Sequence, residues 1–259
     1  LVLVLAAMRS YAQSLRQAGV NVLYQPLDVE QRSATAEQFM TTLRQLLAEH
    51  EVAELVHFEV EGKAMQANLA SLVHRMGIGH RVLPSPMFLC GREDFAAFLK
   101  GRTKPQMASF YKFQRTRLGI LVDAEGAPTG GRWSFDEDNR KKLPKNIDPP
   151  VLSEVQPDAL VDEVSAMVGH TFAEHPGSVD GFHWPVTRQG ALEWLDEFLH
   201  HRLALFGPYE DAISQRSKTV FHSALSPLLN LGLMTPKEVV HRTLQFAENN
   251  DIPMQSLEG

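Results

Sequence analysis

The spacing of the apolar residues changes part-way along the chain, and this change limits the possible folds more than any other feature. Between residues 52 and 101, apolar runs typical of β-strands alternate with runs at helical spacing. From residue 157 onward, every apolar run has helical spacing. Alternating strands and helices indicate βαβ units with a parallel sheet, whereas uninterrupted helices indicate an all-α part. We therefore predict an α/β domain followed by a helical domain.

The individual elements follow from the same patterns. Gly19 and Gly77 directly follow helical runs, which is typical of helix ends. No Gly-x-Gly-x-x-Gly motif follows a predicted strand, so the usual dinucleotide-binding fingerprint is absent. The predicted strands span residues 20–28, 52–60 and 80–86. The predicted helices span residues 1–19, 34–49, 62–77, 92–101, 158–168, 188–205 and 236–249.

A stretch of different composition separates the two predicted domains. Residues 123–156 are rich in Gly, Pro, Asp and Lys, which is typical of a long loop or linker. Its sequence GGRWSFDEDNRKKLP sets acidic residues beside basic ones, which favours an ion-paired loop anchored to a surface by Trp133 and Phe135. We predict an α/β domain over residues 1–122, a linker over 123–156 and a helical domain over 157–259.

The bulk composition excludes several classes of protein. The single cysteine among the 259 residues, Cys90, excludes a disulfide scaffold and an all-cysteine metal site within the chain. It also fits a reducing compartment, so we predict a cytoplasmic location. No apolar run approaches the ~20 residues that a membrane span needs. The net charge of −6 gives no overall basic footprint for nucleic acid.

Two groups of histidines are candidates for metal binding. One is the pair His200 and His201, and the other comprises His170, His175 and His183 in a stretch rich in Gly and Pro. Neutral imidazole can bind zinc, but no cysteine or closely spaced acidic residue completes a tetrahedral set. Exposed or capping histidines are the favoured interpretation, and we predict no metal site.

Residues 100–117 contain six basic residues, no acidic residue and three interleaved aromatic residues. Such a mixture can follow a phosphate backbone while the rings stack or pack. The favoured alternative is a solvated helix face with the aromatic rings in the core. Within the segment, the candidate DNA-binding residues are Lys104, Lys112 and Arg115.

The sequence FHSALSPLLNLGL at residues 221–233 resembles a buried helix, yet it carries serines, a proline and an asparagine. Serine hydroxyls and main-chain N–H groups near a helix start suit a phosphate. A capping serine before a helix whose first turn contains Pro227 explains the pattern equally well. Spacing alone favours the capping interpretation.

The same stretch resembles the flavin-phosphate loop of the photolyase and cryptochrome superfamily, T-S-x-L-S-P-x-L-x-x-G. His222 departs from the usual threonine, and Ala224 replaces a frequent basic residue. Upstream, the sequence FGPYEDA puts Tyr209 where this superfamily has a flavin-contacting tyrosine. Further segments, among them GGRWSFDEDNRKKLP and HPGSVDGFHWPVTR, are similar to bacterial photolyase-related proteins, the group that includes iron–sulfur (6-4) photolyases and prokaryotic cryptochromes. The residues that match the loop pattern are His222, Ser223, Leu225, Ser226, Pro227, Leu229 and Gly232.

The resemblance implies FAD as cofactor, with Leu225 packed near it and Pro227 starting the helix. It assigns no catalytic residue to this chain. For the full-length protein it also implies a lumazine antenna, an iron–sulfur cluster whose ligands lie outside this chain, and UV-damaged DNA as partner. The implied cofactor-binding residues are Tyr209, His222, Ser223, Ala224, Leu225 and Ser226.

The resemblance also implies the fold and the function of the whole protein. The first domain would be a Rossmann-like parallel sheet lacking its first strands, and the second would be the first part of an all-α FAD-binding domain. We therefore expect the chain to be a fragment at both ends. The implied function of the full-length protein is a flavin-dependent, blue-light-driven DNA photolyase that repairs pyrimidine photoproducts of the (6-4) type, and we expect this fragment to be inactive by itself. The alternatives are a cryptochrome photoreceptor without repair, and a non-flavin α/β protein whose loop matches by chance.

Overall fold

A computed structural model of the chain describes residues 1–27 and 35–259. It divides into two compact units, Leu23–Gly91 and a larger unit made of Leu1–Val22 together with Arg92–Gly259. In chain order, the helices and strands are α1 (Val2–Gln17), α2 (Ala36–Glu49), β1 (Glu54–Phe58), α3 (Lys63–Met76), β2 (Gly79–Leu83), α4 (Arg92–Leu99), α5 (Met107–Leu118), a 3-10 helix (Asp136–Asp138), α6 (Ala159–Thr171), α7 (Arg188–His201), α8 (Leu203–Tyr209), α9 (Ser226–Asn230), α10 (Pro236–Glu248) and α11 (Met254–Glu258).

The smaller unit is a helix followed by a strand–helix–strand arrangement. β1 and β2 pair in parallel, with Glu54 opposite Gly79 and Phe58 opposite Leu83. The predicted mixture of helices and parallel strands is therefore confirmed. The described part of the sheet has two strands.

Local signals explain where the helices of the smaller unit begin and end. α2 begins after Thr35, whose side chain accepts a hydrogen bond from the Gln38 N–H, while the Gln38 side chain accepts one from the Thr35 N–H. This reciprocal capping box satisfies two N–H groups that a helix start leaves unpaired. α3 ends at Gly77, which has a φ of 67° and so adopts the left-handed conformation that glycine tolerates best. The predicted end of this helix is confirmed.

The strand predicted over residues 20–28 is wrong for its described part. Residues 20–27 form neither a strand nor a helix, and residue 28 lies outside the described residues. In the described sheet, β1 pairs with β2, and residues 20–27 have no neighbouring strand that would satisfy their backbone groups. α2 begins two residues later than the predicted residue 34, which also lies outside the described part.

The larger unit holds two apolar clusters, and the first of them contains the FHSALSPLLNLGL stretch. Its centre is α7, whose Trp194, Leu195 and Phe198 are buried. Leu225 and Leu228 pack into the same cluster. Residues 157–259 are described throughout and contain helices but no strand, as predicted.

The second cluster joins α1 to α6. Val2 and Ala6 of α1 are buried with Val164 and Val168 of α6, and an ion pair links Arg9 to Glu163 at 2.8 Å. The larger unit thus includes α1, α4 and α5, which the predicted boundaries assign to the α/β domain. The compact units therefore do not follow the predicted boundary at residue 122, because the apolar face of α1 packs on a helix from the predicted helical domain.

The predicted linker has little regular structure. Residues 123–156, described throughout, contain the short 3-10 helix and one partner of an isolated bridge between Val122 and Pro128. Phe135 is buried, and Trp133 lies against the guanidinium of Arg115, 5.1 Å from the ring centre. The prediction that these two aromatic residues anchor the loop is confirmed.

α10 offers a test of the electrostatics of the larger unit. Glu238 at its start accepts hydrogen bonds from Arg188 and from the N–H and hydroxyl of Thr235. The Arg188 hydrogen bond, followed by those of Thr235, lowers the pKa of Glu238 to about 2. Because this folded value lies below the ordinary value of 4.5, the stabilisation is complete above pH 4.5 and is lost as pH falls towards 2.

We predict that Glu238→Gln lowers the free energy of unfolding at pH 7 by about 1 kcal/mol, because it removes the ion pair but leaves a capping side chain. The difference from wild type should shrink as the pH falls from about 4.5 to about 2. Urea unfolding at several pH values measures this. Glu248→Gln, at the exposed end of the same helix, is the control. A difference that does not change with pH would contradict the assignment.

Candidate functional site

The predicted flavin residues surround an irregular turn between α8 and α9. The side chain of Ser217 accepts hydrogen bonds from the N–H groups of Thr219 and Val220, at 3.2 and 2.9 Å. The His222 N–H donates to the carbonyl of Thr219 at 2.8 Å. These bonds fold the chain back on itself just before residues 222–226, which we call the donor loop.

The backbone of the donor loop changes hand between adjacent residues. Ala224 has a φ of 55°, in the left-handed region, and Leu225 is right-handed with φ −89° and ψ −16°. Adjacent residues of opposite hand turn successive N–H groups towards the same side and form an anion-binding concavity. A non-glycine residue at positive φ is uncommon and costs about 1 kcal/mol or more. The left-handed conformation of Ala224 therefore indicates that the surrounding structure holds it in place.

Several hydrogen-bond donors in this loop lack partners within the described chain. They are the hydroxyls of Ser223 and Ser226 and the backbone N–H groups of Ser223, Leu225 and Ser226. The Ala224 N–H, in contrast, donates to Nδ1 of His222 at 2.9 Å. Ser226 is exposed and Ser223 is half-buried, so both remain accessible to a ligand.

The capping interpretation of the serines is wrong. The residue at the cap position of α9 is Leu225, whose side chain cannot accept a hydrogen bond, and Ser226 is the first residue of the helix. No side chain makes a capping hydrogen bond to this described helix. The predicted position of Pro227 in the first turn is confirmed.

The aromatic side chains of α8 lie beside the donor loop. The ring of Tyr209 lies 5.8 Å from that of Phe221, and the ring of Phe206 lies 6.4 Å from that of His222. The structure therefore places Tyr209 beside Phe221, the residue that precedes the donor loop. Ala224 and Leu225 are buried in the apolar cluster around α7.

The carboxyl group next to Tyr209 has an altered acidity. Burial raises the pKa of Glu210, the charges of Asp211 and Asp136 raise it further, and Arg140 opposes them. The shift favours the neutral acid relative to a solvated glutamate. The neutral form is the one that least repels an anion nearby.

The basic residues at 100–117 fall into two kinds. Lys104 and Lys112 are exposed, whereas Arg115 is only 4% exposed. The Arg115 guanidinium donates hydrogen bonds to the carbonyls of Ile120, Leu121 and Trp133. Arg115 therefore holds the start of the linker and does not present its charge to a phosphate, which removes it from the predicted DNA-binding set.

The aromatic residues of this segment are half-buried, and two of them pack against the buried Phe98 of α4. Phe110 lies 5.1 Å from Phe98 of α4, and Phe113 lies 5.2 Å from the same ring. The other five basic residues of the segment are exposed, and they are Lys100, Arg102, Lys104, Lys112 and Arg117. The sequence pattern did not distinguish the buried Arg115 from the exposed Lys104 and Lys112.

Neither a metal cluster nor a membrane span is found in the part of the chain that the structure describes. Within residues 1–27 and 35–259, no group of three or more His, Cys, Asp or Glu residues could hold a metal ion. No described helix is both long enough and apolar enough to cross a membrane.

We predict that Arg115→Ala is strongly destabilising, because it leaves carbonyl groups without partners, each at a cost of about 1–3 kcal/mol. Lys112→Ala should change the free energy of unfolding by less than about 0.5 kcal/mol, since Lys112 is exposed on the same helix. Denaturant unfolding of both variants compares the two positions. Equal losses would mean that Arg115 is not the anchor described above.

The chain is a mixed α/β protein, and its donor loop begins beside the apolar cluster around α7. Residues 1–184 match the deoxyribodipyrimidine photo-lyase-related protein family, and the chain belongs to that family. Over 256 residues it is 27% identical to the "(6-4) photolyase" of Agrobacterium fabrum, an alignment that covers 99% of this chain. The chain spans about half the length of that relative, 50%.

Proposed function

We propose that the chain is part of a flavin-dependent, blue-light-driven DNA photolyase that repairs pyrimidine photoproducts of the (6-4) type. Membership of the photo-lyase-related family and similarity to a protein named (6-4) photolyase support this proposal. The family match ends at residue 184, before the donor loop, so the loop is a separate line of support.

The observation that carries the proposal is the set of unpartnered donors around Ala224. A diphosphate needs several N–H and O–H donors on one side and no acidic side chain among them. Residues 222–226 support the proposal, because they contain no acidic residue and carry two serine hydroxyls and three N–H groups without a partner in the described chain. The residues present therefore fit the diphosphate of FAD.

Each residue of the site has a distinct role in this proposal. Ser223 and Ser226 donate their hydroxyls and N–H groups to the diphosphate, and the backbone of Leu225 donates a further N–H. His222 holds the turn through Ala224, and Tyr209 borders the cofactor from α8. When bound, reduced flavin excited by light supplies one-electron transfer to the DNA lesion, so the protein contributes binding and orientation.

The partner in this proposal is UV-damaged DNA, with the lesion flipped out of the duplex. Lys104 and Lys112 are the candidate phosphate contacts on this chain, since both are exposed. An iron–sulfur cluster and a lumazine antenna belong to the proposal for the full-length protein, and we assign no residue of this chain to either.

We predict that the double variant Ser223→Ala, Ser226→Ala of the full-length protein loses FAD. Each hydroxyl donates to a charged group in this proposal, which is worth about 1.5–3 kcal/mol. The affinity should therefore fall by more than about tenfold. The ratio of flavin to protein absorbance after purification measures the loss, and equilibrium titration with FAD gives its size.

A double variant to threonine is the matched control, because it keeps both hydroxyls and should retain FAD. The melting temperature of the FAD-free protein should be similar in all three proteins, since neither hydroxyl makes a hydrogen bond within the described chain. An alanine variant that melts lower but keeps its full complement of FAD would contradict the proposal. Blue-light repair assays on the wild type would separate a photolyase from a photoreceptor.

For DNA binding, we predict that Lys104→Ala with Lys112→Ala flattens the salt dependence. Each lost phosphate contact should reduce the slope of log affinity against log salt by about 0.9. The pair Lys63→Ala and Lys237→Ala makes the same charge change at other exposed lysines and should leave the slope unaltered. Fluorescence anisotropy with duplex DNA at several salt concentrations measures the slopes, and equal slopes in all proteins would exclude these contacts.

A further inference from the structure

Residues 210–219, which we call the connecting segment, join Tyr209 to the turn that precedes the donor loop. None of these residues, all of them described, is buried, and Ile213 is 99% exposed. The segment also contains no helix or strand. Because hydrophobic packing does not fix it, its position depends on polar contacts.

The guanidinium of Arg216 makes three of these polar contacts. Its Nη2 donates to the carbonyl of Pro144 at 2.9 Å, and its Nη1 donates to the carbonyl of Lys145 at 3.2 Å and to Oδ1 of Asp148 at 2.8 Å. One guanidinium thus binds two carbonyls and one carboxylate of the linker. We call the linker residues 139–148 the docked linker segment.

A second set of contacts joins the docked linker segment to the beginning of the connecting segment. The Lys141 N–H donates to the carbonyl of Pro208 at 2.9 Å. Arg140 Nε lies 3.8 Å from Oδ2 of Asp211. The connecting segment is therefore held near both of its ends, and Tyr209 lies at the first of them.

The hydrogen bonds of Arg216 lie only a few residues before the donor loop in the sequence. Ser217 directly follows Arg216, and its side chain accepts the hydrogen bonds of Thr219 and Val220. Phe221, which is only 2% exposed, then leads into the donor loop. Movement of residue 216 would therefore shift a bonded turn that leads directly into the donor loop.

We propose that Arg216 is a positioning residue for cofactor binding, and that its contact with residues 144–148 keeps the donor loop in its ligand-binding shape. This inference rests on the proposed function. A loop that is already ordered loses less entropy when it binds, so the cofactor is retained longer. The Arg216 side chain is 39% exposed, so its bonds contribute little to the overall stability.

A direct attraction between the Arg216 charge and the diphosphate is the competing explanation, and lysine distinguishes the two. Lysine keeps the charge but lacks the planar fork that binds two carbonyls and a carboxylate at once. If charge alone matters, Arg216→Lys should behave as wild type. If geometry matters, Arg216→Lys should resemble Arg216→Ala.

The experiment uses the full-length protein with its FAD. We expect Arg216→Ala and Arg216→Lys each to raise the rate of FAD dissociation about fivefold, measured by the recovery of flavin fluorescence. Arg242→Ala is the matched control, because Arg242 is 40% exposed and makes an ion pair with Asp196 at 3.4 Å. It should leave the rate unchanged. The melting temperatures of the FAD-free proteins should agree.

Hydrogen exchange in the FAD-free proteins gives a readout that does not depend on the cofactor. The Val220 amide should exchange faster in both Arg216 variants than in wild type or Arg242→Ala. Unchanged exchange, or a wild-type dissociation rate in Arg216→Lys, would overturn the positioning role alone. A wild-type protein that retains no flavin would overturn the proposed function, and the positioning role with it.

Discussion

The close approach of three segments at Gly207 is the constraint on which the rest of the larger unit depends. A Cβ on this residue would lie 2.5 Å from the carbonyl oxygen of Gln255 and 2.8 Å from Oδ1 of Asn139. Only glycine leaves room for α11 and the linker against the backbone of α8. Ser256 completes the contact, since its hydroxyl accepts from the Gly207 N–H at 3.1 Å and donates to the carbonyl of Ala204 at 3.0 Å. Helix α8 is thus fixed by backbone contacts along its length.

Helix α11 also connects α5 and the linker to α8. Glu258 in α11 accepts hydrogen bonds from the Tyr111 hydroxyl at 2.7 Å and the Phe135 N–H at 2.9 Å. Burial and the hydrogen bond to Glu258 raise the pKa of Tyr111 to about 12, so the tyrosine remains a donor at physiological pH. Tyr209, the last residue of α8, lies beside Phe221. Phe135 of the linker is therefore bonded to α11, which is itself bonded to α8.

The sequence patterns predicted features that depend on neighbouring residues in the chain. They failed for features that depend on residues distant in the sequence. Gly77 ends a helix because of its own conformational freedom, so that end was predictable. Whether residues 20–27 form a strand depends on a neighbouring strand, and their apolar pattern carries no information about one. Arg115 belongs to a basic run, but the carbonyls that bind it include that of Trp133, which is 18 positions away. For the donor loop, local spacing favoured a capping role for the serines, which the backbone geometry excludes because Leu225 holds the cap position.

In the proposed function, the unpartnered donors of the loop also determine which kind of ligand binds there. Ser226 is exposed, so water can satisfy its donors when no ligand is bound, and the arrangement costs the folded protein little. A ligand that displaces this water must return hydrogen bonds of at least equal strength. A neutral acceptor only replaces what is lost, whereas the oxygens of a phosphate form charge-assisted bonds that are roughly twice as strong. The folded protein holds Ala224 in its strained left-handed conformation before any ligand binds. In the proposed function, these donors therefore favour a diphosphate over an uncharged ligand of the same shape.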